Sequence, residues 1–256
     1  MILLVFAFLN LSISKEIIKK EHFYILCANF IIPFCFYFAL KSFNTDLALA
    51  AFISGFSPTA VSAAAVIHQL KGKVEFTAFS VLLTNFAVAF ATPFILPLLI
   101  TAHVQISVFS VLLPVVFVFA VPLLFVKIIK KYFRNIYDWF SRSLEIPYYI
   151  LLLNIYLATS KATHFIGQEY SGPKQIVYLI ALSSLVICAV SFYIGSLIGG
   201  NNYRQETMQS LGQKNNSLSV WVALTFINPL TALGPVFYIL FHNIFISFQL
   251  YRHNKG

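Results

Sequence analysis

An all-α, polytopic transmembrane bundle of about nine helices is the fold that the sequence predicts, on three observations. The chain is 59% apolar over 256 residues, with a mean hydropathy of +0.84. Only 10% of its residues are charged, against roughly 25% in a soluble domain that must cover itself with charge. Those few charges fall in short gaps between apolar runs of about the length that crosses a bilayer core.

Breaking the chain at charge, Pro, Gly and Asn gives runs near 1–13, 23–42, 46–70, 74–101, 105–130, 143–163, 173–198, 203–227 and 229–251. The run 1–13 reaches only about 20 Å at 1.5 Å per residue, short of a hydrocarbon core about 30 Å thick. It has neither the basic n-region nor the small-residue cleavage site of a signal peptide, and reads as a span truncated at its start. Runs 23–42 and 74–101 are continuous, with Pro33 and Pro93 as kinks, and run 105–130 carries Pro114 and Pro122 in the same role. Trp139, Tyr148 and Tyr149, around the start of run 143–163, have the character of interface anchors. Run 173–198 is continuous, and run 229–251 carries His242-Asn243 as a polar clasp between helices.

Two runs are interrupted. Run 46–70 contains Ser54-Gly55-Phe56-Ser57-Pro58-Thr59, and run 203–227 contains Gln209-Ser210-Leu211-Gly212-Gln213-Lys214-Asn215-Asn216-Ser217. In hydrocarbon each unpaired backbone group costs several kcal/mol, so irregular backbone survives only against protein or a cavity. Pro58 removes a donor and disfavours helix at Ser57. One Ser-Pro-Thr kink alone is more often structural than functional. Two breaks five spans apart must cross the membrane in opposite senses, which is the pattern of an inverted-topology repeat with a midplane binding site. Half-helix N-termini there favour an anionic ligand group.

Loop charge sets the orientation. One side collects Lys15, Lys19, Lys20, Lys71, Lys73, Lys127, Lys130, Lys131, Arg134, Arg142, Arg204, Arg252 and Lys255; the other collects only Lys41, Lys161 and Lys174. The positive-inside rule makes the first side, and the C-terminus, cytoplasmic. Of the 17 basic residues this leaves Lys214, inside an interrupted run. It lies about 17 Å along the helix from Tyr203 and about 20 Å from Ile227, too deep to snorkel fully. A charged residue at such depth usually marks a pathway.

Other chemistries find little support. The net charge of +9 is scattered through gaps rather than set on a recognition helix, so no nucleic-acid partner is expected. Cys27, Cys35 and Cys188 lie in apolar runs and read as small core residues. No His-Glu-x-x-His and no P-loop occurs, and the six His sit mostly at helix ends. No enzyme activity, catalytic residue, metal site or cofactor is expected.

Taken together and in order, Ser57-Pro58-Thr59 through Lys71-Gly72, Leu83-Thr84 through Thr92-Pro93, Gly212 through Leu218, and Phe241-His242-Asn243 resemble the bile acid:sodium symporter family over nearly the whole chain. The resemblance implies a secondary transporter whose chain here starts at the family's second helix. It implies a core of 23–101 and 173–251, where the interrupted helices cross, and a panel of 1–13 and 105–163. It also implies sodium-coupled uptake of an organic anion, with ion ligands at matching positions. Those positions depart from the family here. Ala63 and Ala64 replace a Ser-Asn pair, Ser210 replaces a Glu, Lys214 and Asn29 replace two Gln, and Val81 replaces a hydroxyl whose partner is kept as Thr77. The alignment at Lys214 admits a one-residue shift that would put Asn215 on the Gln position, and the missing Glu survives that shift.

The function expected is secondary transport of a small organic anion across a plasma or bacterial inner membrane, among its lipids. Ser57, Pro58, Thr59 and Ser62 form one side of the site, and Gln213, Lys214, Asn215 and Asn216 the other. Asn29, Thr77 and Ser210 lie at former ion positions. Sodium or a proton is the coupling ion. Lys214 reads as a fixed counter-charge or as a proton carrier in sodium's place. A different class stays open, a non-transporting scaffold or decayed transporter, as does ordinary sodium-coupled symport.

Overall fold

The computed structural model describes residues 5, 6, 9, 18–100, 108–142 and 146–255. Its regular structure is helical, and no strand occurs among the described residues. In chain order the helices are α1 (Lys20–Lys41), α2 (Thr45–Gly55), α3 (Ser62–Gln69), α4 (Val74–Leu99), α5 (Val108–Tyr132), α6 (Arg134–Arg142), α7 (Ile146–His164), α8 (Lys174–Gly199), α9 (Arg204–Gly212), α10 (Asn216–Phe226) and α11 (Pro229–Lys255). A π-helical turn, Phe165–Glu169, follows α7. Among the described residues four helices are long and apolar enough to cross a membrane: α1, α4, α8 and the stretch Pro229–His253 of α11.

The run expected at 1–13 lies largely outside the described residues; Val5, Phe6 and Leu9 of it are helical and buried. The side chain of Tyr148 also lies outside them. α1 and α4 pass through Pro33 and Pro93 as single helices. Of the His242-Asn243 pair, Asn243 Nδ2 donates to Ile239 O in its own helix at 2.7 Å and His242 Nδ1 is buried without a partner, so no hydrogen bond from the pair to another helix occurs among the described residues.

Both interruptions are present and narrower than the sequence implied. Helix continues through Ser54 and Gly55 on one side, and through Gln209–Gly212 on the other. Gln and Ser are tolerated in helices, so a polar run alone does not unwind one. What unwinds is Phe56–Val61, at Pro58, and the three residues Gln213–Asn215.

α2 is buried all round, with Leu47 through Gly55 inaccessible, as expected of a helix apolar on every face. It lies at the centre of the bundle against α1, α8 and α11. Each interrupted span is anchored by an acid in its first turn. On α2, Asp46 Oδ1 accepts from Asn228 Nδ2 at 2.8 Å, just before α11. On α9, Glu206 Oε1 accepts from the backbone N–H of Lys73 at 2.7 Å, just before α4. α8 and α9 pack closely because Gly195 and Gly199 of α8 face the α9 backbone and the Thr207 side chain.

Candidate functional site

The two unwound segments meet and pair with each other. Thr59 and Lys214 form an antiparallel bridge. Ala60 N–H donates to Gln213 O at 2.9 Å, and Asn215 N–H donates to Pro58 O at 2.7 Å. The donors and acceptors freed by one break are therefore met in part by the other, which is how irregular backbone is kept inside a bundle.

Side chains from neighbouring helices supply more partners. Thr84 of α4 accepts from Thr59 N–H at 3.0 Å, and Asn85 Nδ2 donates to Thr59 O at 3.2 Å. Thr59 Oγ1 donates to Ser210 O at 2.6 Å. Tyr238 of α11 donates to Gly212 O at 2.8 Å. Thr84, Asn85 and Tyr238 thus fix the crossing, and the sequence reading assigned none of them a place in the site. A polar Thr-Asn pair inside the apolar α4 was the available signal.

Lys214 leaves the bridge toward α1, where its Nζ donates to Asn29 Oδ1. The side chain is only 2% exposed. Among the described residues no carboxylate lies within 4 Å of it, and the one ion pair is His164–Glu169. Nor do three or more His, Cys, Asp or Glu side chains gather as a metal site among the described residues. Ala63 and Ala64, at the start of α3, offer no side-chain ligand. Lys214 meets Asn29, a contact that the sequence reading did not specify.

A second polar chain runs the other way. Ser62 Oγ donates to Gln213 Oε1 at 3.0 Å, and Gln213 Nε2 donates to Gln209 Oε1 at 2.5 Å. Gln209 in turn reaches Gln249 of α11, a residue that sequence reasoning missed. Asn215 is half-buried and tied in through its backbone. Asn216 opens α10 and is buried with both side-chain polar atoms unpartnered. Ser57 Oγ, Thr77 Oγ1, Ser210 Oγ and Asn29 Nδ2 are buried and unpartnered too. Such groups cost about 1–3 kcal/mol each when nothing meets them, and Thr231 Oγ1 and His242 Nδ1 of α11 are in the same position.

Beside Pro58 an apolar cleft opens between α2, α4 and α10, lined by Phe52, Phe56, Val88, Thr92, Leu218 and Ser219. The crossing therefore has a buried amine on its α1 side and an apolar recess on its α4 side.

No curated protein matches this chain in a sequence comparison. A family model does match it, over residues 2–249. With its apolar helices and that match, the chain is an integral membrane protein and belongs to the SBF-like CPA transporter family, the bile acid:sodium symporter-like family that its motifs resemble.

Proposed function

We propose that this protein is a secondary active transporter of a small organic anion, with Lys214 taking the place of a coupling sodium ion. The observation that carries the reading is a buried lysine at the meeting of two unwound helices, with Asn29 as its hydrogen-bond acceptor and, among the described residues, no acid beside it. An anionic group entering the crossing would meet the amine of Lys214 and the N-terminus of α10, where the helix dipole favours negative charge. Ser57, Thr59, Ser62, Gln213, Asn215 and Asn216 supply hydrogen-bonding groups, and Pro58 borders the small apolar cleft. Thr77 and Ser210 hold former ion positions without the carboxylate a sodium ion prefers.

In this reading the core, 23–101 and 173–251, carries the site, and the panel, 1–13 and 105–163, rocks against it to alternate access. The host is a plasma or bacterial inner membrane, with the C-terminus in the cytoplasm. Lys214 acts either as a permanently protonated counter-charge or as a carrier that gives up its proton in each cycle. The first makes flux nearly flat in pH; the second lets a proton gradient drive it. Flux into liposomes holding the purified protein tests the reading. A bile acid, pantoate, a keto acid and a sulfonated solute form the panel. Saturable uptake of at least one is expected, and no saturable flux with any of them overturns transport in favour of a scaffold.

A further inference from the structure

The turn between α5 and α6 carries chemistry that the crossing does not use. α5 ends with Lys127, Lys130 and Lys131, and α6 opens with Arg134; all four side chains are exposed. Asp138 is the one acid among residues 108–142. Large apolar side chains are interleaved with these cations: Tyr132 is 67% exposed, Phe133 52% and Trp139 57%.

α6 is a built element. The Phe125 and Phe140 ring centroids are 6.0 Å apart, whereas 15 residues of continuous helix would separate them by about 22 Å. The chain therefore reverses at Phe133 and folds α6 back on α5. Phe140 also meets Phe6 at 5.4 Å, and Tyr137 OH donates to Leu9 O at 3.3 Å. With its inner face held in this way, α6 leaves Trp139 outward beside the basic tip. Lys130 Nζ stands 5.7 Å from the Tyr137 ring centroid, and Lys131 Nζ 5.1 Å from that of Tyr132, so ammonium groups and aromatic rings share one surface.

We propose that this elbow binds the phosphodiester headgroup of an anionic glycerophospholipid, with Lys127, Lys130, Lys131 and Arg134 on the phosphate and Tyr132, Phe133 and Trp139 against the glycerol and upper acyl chains. Charge complementarity selects an anionic headgroup, and the guanidinium of Arg134 matches phosphate oxygens in bidentate fashion. The exposed aromatics select a lipid over a soluble phosphate, because only a lipid covers them with hydrocarbon. This surface is separate from the crossing, and it stands whether or not the transport reading does.

The chain has two Trp, so Trp221→Phe leaves Trp139 as the sole indole emitter. That variant, in phosphatidylcholine vesicles, is titrated with brominated phosphatidylglycerol or brominated phosphatidylcholine, and quenching of Trp139 is read. A cation beside an anionic headgroup contributes about fivefold, so phosphatidylglycerol should be preferred by about tenfold or more. Lys127→Gln, Lys130→Gln, Lys131→Gln and Arg134→Gln together should bring the preference close to unity, Arg134→Gln alone should lower it several-fold, and molar salt should erase it without any substitution. Equal quenching by the two lipids in the parent, or a preference that survives the four substitutions, overturns the proposal. Loss of the preference on adding millimolar inorganic phosphate also overturns it, by showing a site for soluble anions.

Discussion

A single methyl group on Gly195 should loosen the half-helix that carries the crossing. An ideal Cβ there would lie 2.7 Å from Thr207 O and 2.8 Å from Met208 Cα, both backbone atoms of α9. Ordinary contact begins near 3.4 Å, so α8 and α9 must separate by about 0.7 Å, and no side-chain rotation can absorb the clash. Overpacking of this kind costs about 1–3 kcal/mol. At about 2–4 °C per kcal/mol for a chain of this size, Gly195→Ala should lower the unfolding midpoint by about 2–12 °C. The assay is thermal unfolding of the purified protein in detergent, followed by circular dichroism. Gly167→Ala is the control, because a Cβ there meets nothing within 4 Å. The displaced α9 bears Ser210 and leads into Gln213 and Lys214, so transport should fall along with stability. A Gly195→Ala protein as stable as the Gly167→Ala control would refute the close packing of α8 on α9 and the reasoning built on it.

Lys214→Met should raise the unfolding midpoint while abolishing transport, because it replaces a buried amine by a side chain of similar length that needs no partner. Asn29→Leu should do the reverse to stability, costing about 1.5–3 kcal/mol by stranding Lys214, and the same melting curves read both. Glu206→Gln keeps an acceptor for Lys73 N–H and should be nearly silent in the melt, whereas Glu206→Leu should cost about 1–3 kcal/mol; equal losses would show that the contact does not hold α4 to α9. A cysteine placed after Arg252 should react with a membrane-impermeant thiol reagent only from the cytoplasm, and one at Gln168 only from outside. Labelling of both from one face would contradict the orientation drawn from the loop charges.

The breaks were legible because Pro58 and the polar run around Lys214 stand out in apolar surroundings. Hydrocarbon leaves few explanations for unpaired backbone there. Lys214 stood out because counting residues put it far from both ends of its run; that its side chain is buried against Asn29 depends on how α1 packs. Other features depend on folding back. α6 is nine residues long and falls in a gap between apolar runs, so a search for bilayer-length segments passes over it. Glu206, in the first turn of α9, is buried because the residues before α4 fold over it and donate to it. Thr84 and Asn85 stand out as a polar pair in an apolar run, yet such side chains commonly satisfy themselves on the preceding turn, and both do so here as well. Their bonds to Thr59 exist only because α4 packs beside the break. Tyr238 and Gln249 reach the crossing from α11, far along the chain, and nothing local in the sequence announces either.

In the proposed transport cycle Lys214 stands where a sodium ion would otherwise couple transport. A sodium ion 4 Å from an ammonium would be repelled by about 4 kcal/mol at an effective dielectric of 20, and among the described residues no acid lies within 4 Å of that ammonium to offset it. The most direct measurement is the initial rate of uptake into proteoliposomes, using whichever anion of the panel is carried. External sodium is replaced step by step with choline, for the unmodified protein and for Lys214→Gln. With Lys214 in sodium's place, the unmodified rate should not change with sodium and the variant rate should fall nearly to background. A rate that climbs steeply with sodium in the unmodified protein, and is unaffected by Lys214→Gln, would contradict it.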